Sequence, residues 1–585
     1  MKTISKVLLA VFLGLCCELF AVPSLSAETT VTQKISFSAE INNLIDENYN
    51  LVCRNGYAKL VIPQTLHGIV ENQFSPNCIA AAKTLIEAGH KAYVIGGAVR
   101  DLIMGKTTND FDIVTSATND EIKALLPDVD FHTIQSGVEY AFAHYPNEVI
   151  DVATFTNIPA VYHGRDGIPD FDPSELYGRD LLSDSLQRDL TFNALYYDVE
   201  TGDLIDFHGG LHDIRDGVID TMTDAHLEFS YKPQNAIRAL RFKSRYGYRL
   251  SPRVDKAIRA HIGEYIAQMK GTTLSNEITK MEFNGYSLAC WKALSEYGAL
   301  PYVFPPLSGL YETSAYRNYM ETVLSSLDTV YEKNKADRGY KRYFIAAALL
   351  PAIEREMMNG TSFQESLSKI LDEEGRTYVY WKTERRELEE FLSVEYRLTH
   401  PQGLQPVSAL VSSSYFPAAF ELLKVRADMT PSLIGAVAFW TRRIPYDADV
   451  LKTLQNTENF QQAAIGHIFM GEIRGGAANG YHYARIKNAR GYILPSTKEY
   501  TDDFGSYKAK IAVDGMTKDA NFGYSTFFPD AMSPQDVIDT INEAYGNRTL
   551  LPETDNAFIG FAANGMEIML FIDSREKIIS AFPCP

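Results

Sequence analysis

Residues 92–114 read AYVIGGAVRDLIMGKTTNDFDIV. Ala92 to Ile95 predicts a short strand, Gly96 and Gly97 a tight turn, and the following residues a helix. Two glycines let a backbone approach a phosphate closely, and a helix N-terminus favours an anion. Asn109 to Val114 then predicts a second strand. Residues i and i+2 of a strand share a face, so Asp110 and Asp112 are expected to converge. A pair of carboxylates is what Mg2+ ions need to grip a triphosphate and activate a hydroxyl. A DxD pair by itself is more often a solvated turn. The Gly-Gly strand upstream is what shifts the reading toward phosphate chemistry.

Outward from this stretch, the pattern to about Phe207 alternates between short apolar runs, turns and helical periodicity, as in an α/β or α+β domain. From about Lys232 to Arg443 it is mostly helical, with apolar residues at i, i+3 and i+4 in NAIRALRFKSRYGY and YFIAAALLPAIEREM. From about Phe460, Gly, Asn and Asp turns separate β-like runs such as Lys508 to Val513 and Glu567 to Ile572, with one helix at Gln535 to Tyr545. A chain of 585 residues is too long for one core. The expected division is a leader over 1–27, a lead-in over 28–85, an α+β head over 86–230, a helical neck and body over 231–455, and a small α+β domain over 460–585.

A net charge of −19 disfavours non-specific attraction to nucleic acid or anionic membrane. An RNA surface would therefore need a local basic patch. Arg238, Arg241, Lys243, Arg245, Arg249 and Arg253 form one, unless they are a solvated helix face. Lys2 and Lys6, the apolar run VLLAVFLGL and the small residues before Ala27 make a Sec-type secretory signal. The run is short for a membrane span, so none is expected, although a retained anchor is the alternative. The expected destination is the periplasm, the exterior or another cell. Cys53 and Cys78 are close enough for a local disulfide, or are two buried thiols. No spacing suggests zinc.

GGAVRD, NDFDIV, QRDLTFNALYY (187–197) and RALRF (238–242), in this order, resemble the class II CCA-adding tRNA nucleotidyltransferase and bacterial poly(A) polymerase family over about 90–310. The resemblance implies a five-stranded nucleotidyltransferase head with helical neck and body. It implies Asp110 and Asp112 as Mg2+ ligands, with Gly96, Gly97 and Arg100 at the triphosphate of an NTP. Arg188, Asp189 and Asn193 would hold the nucleotide, and Arg238 and Arg241 would lie at the nucleotide or RNA. Several positions depart from the pattern. Gln187 replaces one of two tandem arginines, and Thr156 another arginine. Lys232 and Asn235 stand where the family reads the base with Asp and Arg. Lys and Asn cannot reproduce that donor and acceptor pattern. The head then transfers another nucleotide, transfers any nucleotide, binds RNA without catalysis, or is decaying.

The second constellation lies in GHIFMGEIRGGAANGYH (466–482), where His467 and His482 are expected on one Gly-punctuated hairpin that presents both rings to one cleft. Imidazole titrates near neutrality, so two rings across a phosphodiester can act as base and acid. RNA brings its own 2′-hydroxyl nucleophile, and a lysine can offset charge on the phosphorane. Two histidines at this spacing are more often surface, packing or metal-binding residues. DGMTK (514–518), YSTFFPD (524–530), SPQDVI (533–538) and KIISAFP (577–583) change that. With the histidine stretch they resemble the bacterial EndoU ribonuclease family over about 462–585. The resemblance implies His467 and His482 as acid and base, Lys518 as the charge stabiliser with Lys510 its competitor, and Ser580 and Phe582 at the nucleotide. Phe582 replaces the commoner tyrosine. No cofactor is implied for this domain.

The expectation is a multidomain α+β protein, a secreted RNA-targeting toxin or effector. Its head resembles a tRNA-tail polymerase, and its rear domain cuts RNA to 2′,3′-cyclic phosphate ends. The alternatives are a non-catalytic RNA-binding head, or a head whose nucleotidyl transfer is the main activity beside an inert rear domain. RNA, including tRNA, an NTP and a neutralising immunity protein are the expected partners.

Overall fold

The computed structural model describes residues 35–55, 59–126, 128–133, 139–156, 180–375, 382–401 and 410–584. The leader over 1–27 lies outside the described residues. The chain forms two compact units, Met1–Glu389 and Glu390–Pro585.

The first unit holds a sheet of eight strands rather than five. They are β1 (Leu60–Ile62), β2 (Ala92–Ile95), β3 (Asp112–Thr115), β4 (Val129–Thr133), β5 (Glu139–Tyr145), β6 (Glu148–Thr154), β7 (Leu195–Asp198) and β8 (Leu204–Asp206), in the order β1-β8-β7-β2-β3-β6-β5-β4. The extra strands extend both edges. On one edge β1, from the lead-in, pairs antiparallel with β8. The interior pair β3 and β6 is parallel, with Asp112 beside Asp151. Ile95, Val114, Phe155, Tyr196, Ile205 and Phe207 pack one core on this sheet. Helix α1 (Gly97–Ile103) follows β2 through Gly96, whose φ of 72° a side chain would strain.

A short parallel pair, β9 (Val218–Ile219) and β10 (Arg249–Leu250), leads into helices. Among them α2 (Gln234–Tyr246) buries Ile237, Leu240 and Phe242 and ends at Gly247 in the left-handed region. Cys78 is a buried, free thiol, so the local disulfide is not formed. Desolvation is sufficient reason for it to stay inert, since it pushes the thiol pKa far up.

In the second unit the helices up to Thr441 connect to an α+β region. A hairpin of β11 (Glu472–Arg474) and β12 (Ala477–Asn479) precedes two antiparallel sheets. One sheet contains β13 (Gly491–Ile493), β14 (Glu499–Tyr500), β15 (Tyr507–Val513), β16 (Met516–Thr517) and β17 (Tyr524–Phe527), all paired to β15. The other runs β18 (Thr549–Leu550), β19 (Ala557–Phe561), β20 (Glu567–Ile572) and β21 (Ile578–Pro583). Alternation through EIMLFI and the first five residues of YKAKIAV buries every second residue, the signature of half-buried strands, and β15 ends fully buried at Ile511, Ala512 and Val513. Helix α3 (Gln462–Phe469) and helix α4 (Pro534–Gly546) share a core with the second sheet through Ile468, Phe469, Val537, Ile541, Leu570 and Ile578. Ser533 caps α4 in a reciprocal box with Asp536. Among the described residues no helix is long and apolar enough to cross a membrane.

Candidate active sites

A cleft of about 1330 Å³ is lined on one side by β15, β17 and their loops and on the other by β20 and β21. His467, His482, Lys518, Ser580 and Phe582 all line it. His467 is not on the expected hairpin. It sits in the last turn of α3, and the hairpin β11–β12 lies between the two histidines. Packing of Ile468 and Phe469 into the rear core carries the helix through Gly466, which the glycines had suggested was a turn. The rings still meet, with centroids 5.8 Å apart. Gly480 makes this possible: the amides of Tyr481 and His482 donate to the carbonyls of His467 and Ile468 at 2.8 and 2.7 Å. A Cβ on Gly480 would lie 2.2 Å from the His467 carbonyl oxygen.

The two imidazoles are held differently. His482 is 3% exposed, and its Nδ1 donates to the Thr526 carbonyl at 2.7 Å. A carbonyl only accepts, so Nδ1 carries the proton and Nε2 keeps a lone pair. His467 has Glu472 on Nδ1 and the Ser580 hydroxyl on Nε2, each at 3.0 Å. Burial lowers the pKa of both rings. Lys518 and the neighbouring ring push His482 well down, whereas Glu472 opposes the shift at His467. Lys518 is nearly buried, donates to Ser525 Oγ at 2.8 Å, and burial lowers its pKa to about 8. The Ser525 hydroxyl in turn donates to the Gly480 carbonyl. The competitor Lys510 is absent from the lining and lies over the Tyr524 ring at 5.5 Å. Phe582 stacks on His482 with centroids 4.6 Å apart.

In the first unit, Asp112 begins β3, and Asp110 stands in the exposed loop before it rather than two residues along the same strand. A third acid, Asp151, occupies the register position beside Asp112 on β6. Burial, then Asp110, then Asp151 raise the Asp112 pKa to about 7. A Cβ on Gly96 would come within 3.6 Å of Asp112 Oδ2. Among the described residues no group of three or more His, Cys, Asp or Glu side chains is placed to hold a metal ion together, so any Mg2+ here would rest on one or two carboxylates. Carboxylates that crowd each other fit Mg2+, an ion that takes few protein ligands and completes its shell with water and phosphate oxygens.

Residues 92–220 match the family described as Poly A polymerase head domain, and residues 461–584 match Bacterial EndoU nuclease. The chain joins a poly(A) polymerase head to a bacterial EndoU domain. Both are enzyme families. Poly(A) polymerase I of Escherichia coli O6:H1 is 27% identical over 394 residues, which cover 63% of this chain and 82% of that protein. A Bacillus cereus protein named Toxin is 45% identical over 136 residues, 23% of this chain and 25% of its own length. A Bacillus stearothermophilus CCA-adding enzyme in complex with CTP matches at a TM-score of 0.45 and 22% identity, over 63% of this chain and 82% of that one.

Within the head domain the expected nucleotide residues form one buried network. Arg100 reaches Asp101 at 2.8 Å and Asn193 Oδ1 at 2.5 Å, and Asn193 donates to Asp189 at 2.9 Å. Asp189 also pairs with Arg238 at 2.7 Å. Gly97 lies against this network, and a Cβ there would be in ordinary contact with the Arg100 guanidinium at 3.4 Å. Arg188 turns to Asp184, which also accepts from Tyr196 and Thr156. At the positions expected to read the base, Asn235 donates to Glu228 at 2.9 Å, and Lys232 donates to the Gln187 carbonyl at 2.7 Å with Glu228 3.9 Å away.

The basic patch is largely neutralised. Arg238 and Arg241 face Glu277, Lys243 faces Glu296, Arg245 faces Asp101 and Arg253 faces Asp220. The sequence reading passed over Asp151 and Glu472. A single acid inside the apolar run VIDVA was the available signal for the first. Glu472 carried none, because its partner lies in a different element.

Proposed function

We propose that the rear domain cleaves single-stranded RNA by transfer to the 2′-hydroxyl, leaving 2′,3′-cyclic phosphate ends, in the service of a secreted toxin or effector. The observation that carries this is two imidazoles 5.8 Å apart in one cleft with a buried ammonium group beside them. His482 Nε2, unprotonated, removes the 2′-hydroxyl proton. His467, whose protonated form Glu472 favours, delivers a proton to the departing 5′-oxygen. Lys518 faces the charge that gathers on the phosphorane, where low dielectric strengthens its effect. Ser580 and Phe582, two residues apart on β21, contact the nucleotide. The likeness to a Bacillus cereus protein named Toxin supports the toxin reading, and with it a neutralising immunity partner.

The front domain transfers a nucleotidyl group to an RNA 3′-end, with tRNA as the RNA shared by both domains. Asp110 and Asp112 would hold Mg2+, which supplies positive charge to the triphosphate, with Asp151 beside Asp112 on β6. Gly96 lies beside Asp112 and Gly97 beside Arg100, where the triphosphate would sit, and Arg188, Asp189 and Asn193 position the nucleotide. A second reading, a head that binds RNA without catalysis, is favoured by one observation: Asn235 donates to Glu228 and Lys232 to the Gln187 carbonyl, so both side chains are engaged within the chain.

One incubation with tRNA, Mg2+ and each labelled NTP, read at both RNA ends by mass, tests all of this. Cyclic-phosphate fragments that persist in EDTA and vanish in His467→Ala support the nuclease. Extension lost in Asp110→Ala/Asp112→Ala supports transfer. Cleavage abolished by EDTA would overturn the metal-free mechanism.

A further inference from the structure

Phe522 is 93% exposed, more than any other large apolar side chain among the described residues. Its φ and ψ of 54° and 28° are left-handed, as are those of Asn521 before it, at 52° and 42°. Bulky L-residues rarely adopt this backbone, because Cβ crowds the following carbonyl. The chain therefore accepts strain at two consecutive non-glycine residues and leaves a phenyl ring in water. The burial of apolar surface that drives folding does not account for that placement. Strain that folding does not explain concentrates at functional sites.

The ring lies in the cleft already described, with Asn521 and Tyr524 beside it and Lys508 and Arg474 on the same lining. The loop is a firm mount. Gly523, at φ 87°, lets it turn over the Lys510 stem, and the Tyr524 amide donates to the Asn521 carbonyl. Lys508 and Lys510 both lie over the Tyr524 ring, at 5.4 and 5.5 Å. Phe582, by contrast, already spends one face on His482. At about 1330 Å³ the cleft also exceeds the range of about 300–1,000 Å³ usual for a single small ligand. It has room for more than the nucleotide at the histidines. Glu472 and Asp573 also line it, so the attraction is not a simple basic groove and needs a contact that charge does not supply.

We propose that Phe522 is a stacking platform for a base flanking the scissile linkage, so that the site takes an extended single strand. This rests on the reading of the cleft as an RNA-cutting site. Stacking tolerates any base, because every base has a π-face. The expected gain is therefore in affinity for length, with little effect on the chemical step.

The test uses the full chain with a dinucleoside monophosphate and a single-stranded RNA octamer as substrates. A fluorescent octamer with 2′-deoxy sugars serves for binding. In Phe522→Ala, KM and Kd for the octamers are expected to rise about tenfold, the scale of one base–aromatic stack, with kcat within about twofold. Cleavage of the dinucleoside is expected to be unchanged, and Phe522→Trp should restore octamer affinity. The ring is exposed, so neither variant removes core packing. Unchanged octamer affinity in Phe522→Ala overturns the proposal and points instead to a protein partner for the ring. Equal losses on both substrates also overturn it. Because binding of the deoxy octamer does not require cleavage, a chain that binds through Phe522 but cuts nothing defeats the nuclease reading and with it the place at a scissile linkage, while upholding Phe522 as a base-stacking platform for a bound strand.

Discussion

His467 and His482 differ in what their second nitrogens touch, and that difference sets measurable consequences. Replacing either ring by alanine is expected to lower kcat about 10²–10⁴-fold, the usual worth of a positioned acid or base, with RNA binding largely kept. Lys518→Ala is expected to cost about 10²–10³-fold in kcat, as for loss of one oxyanion donor. The pH profile follows from the shifts. Burial holds both imidazoles below 6.5, so the base limb and the acid limb of kcat/KM both lie on the acidic side of it. The expected optimum is below pH 6.5, with a further fall above about 8 as Lys518 loses its proton. An optimum above pH 7.5 would count against this pair. For stability the sign is the same as for any depressed base: the neutral rings favour the fold above pH 6.5, and that contribution is lost as pH falls through their lowered values. The residue types were readable in the sequence. The shifts were not, because they arise from burial and from Glu472 and Lys518, which lie outside α3.

Elements bring these groups together. The end of α3 and the Gly480 turn after β12 share two backbone hydrogen bonds, so the histidines are fixed by main chain rather than by flexible side chains. Gly480→Ala places a Cβ 2.2 Å from the His467 carbonyl and 2.9 Å from its Nδ1, at a φ of 69°. Thermal melting and RNA cleavage of this variant are expected to show a loss of about 1–3 kcal/mol and of most activity, because the clash is with backbone. Glu472→Gln should leave the fold intact, keep the hydrogen bond and move the acid limb further down in pH. An unmoved limb would mean that Glu472 does not act through His467. Periodicity revealed β15, β20 and α4 to within a residue or two, since each alternation or helical repeat is local. It misplaced His467 on a hairpin because Gly466 and Gly471 read as turns, and only packing of Ile468 and Phe469 into the rear core carries the helix through. Likewise β1 was hidden in a lead-in, since a three-residue strand has no signal apart from its partner β8.

At the scale of the whole molecule the two modules make separable demands. Adding EDTA, or substituting Asp110→Ala/Asp112→Ala, is expected to abolish 3′-extension and leave RNA cleavage unchanged, whereas His467→Ala does the reverse. Mg2+ is also expected to raise a melting transition of the full chain through the crowded acids of the head, and Asp112→Asn should remove that response. A shift that survives Asp112→Asn would place the ion elsewhere. The order of short motifs determined by itself that the chain joins two modules, and which side-chain chemistries each holds, because strand, turn and helix signals and residue types are local properties. The tertiary structure alone decided that Asp151 stands beside Asp112, that Arg238 and Arg241 of α2 are paired with Glu277 and Asp189, and that His467 meets His482. Proximity across elements and the low dielectric of a buried site depend on packing, and no window of sequence contains them.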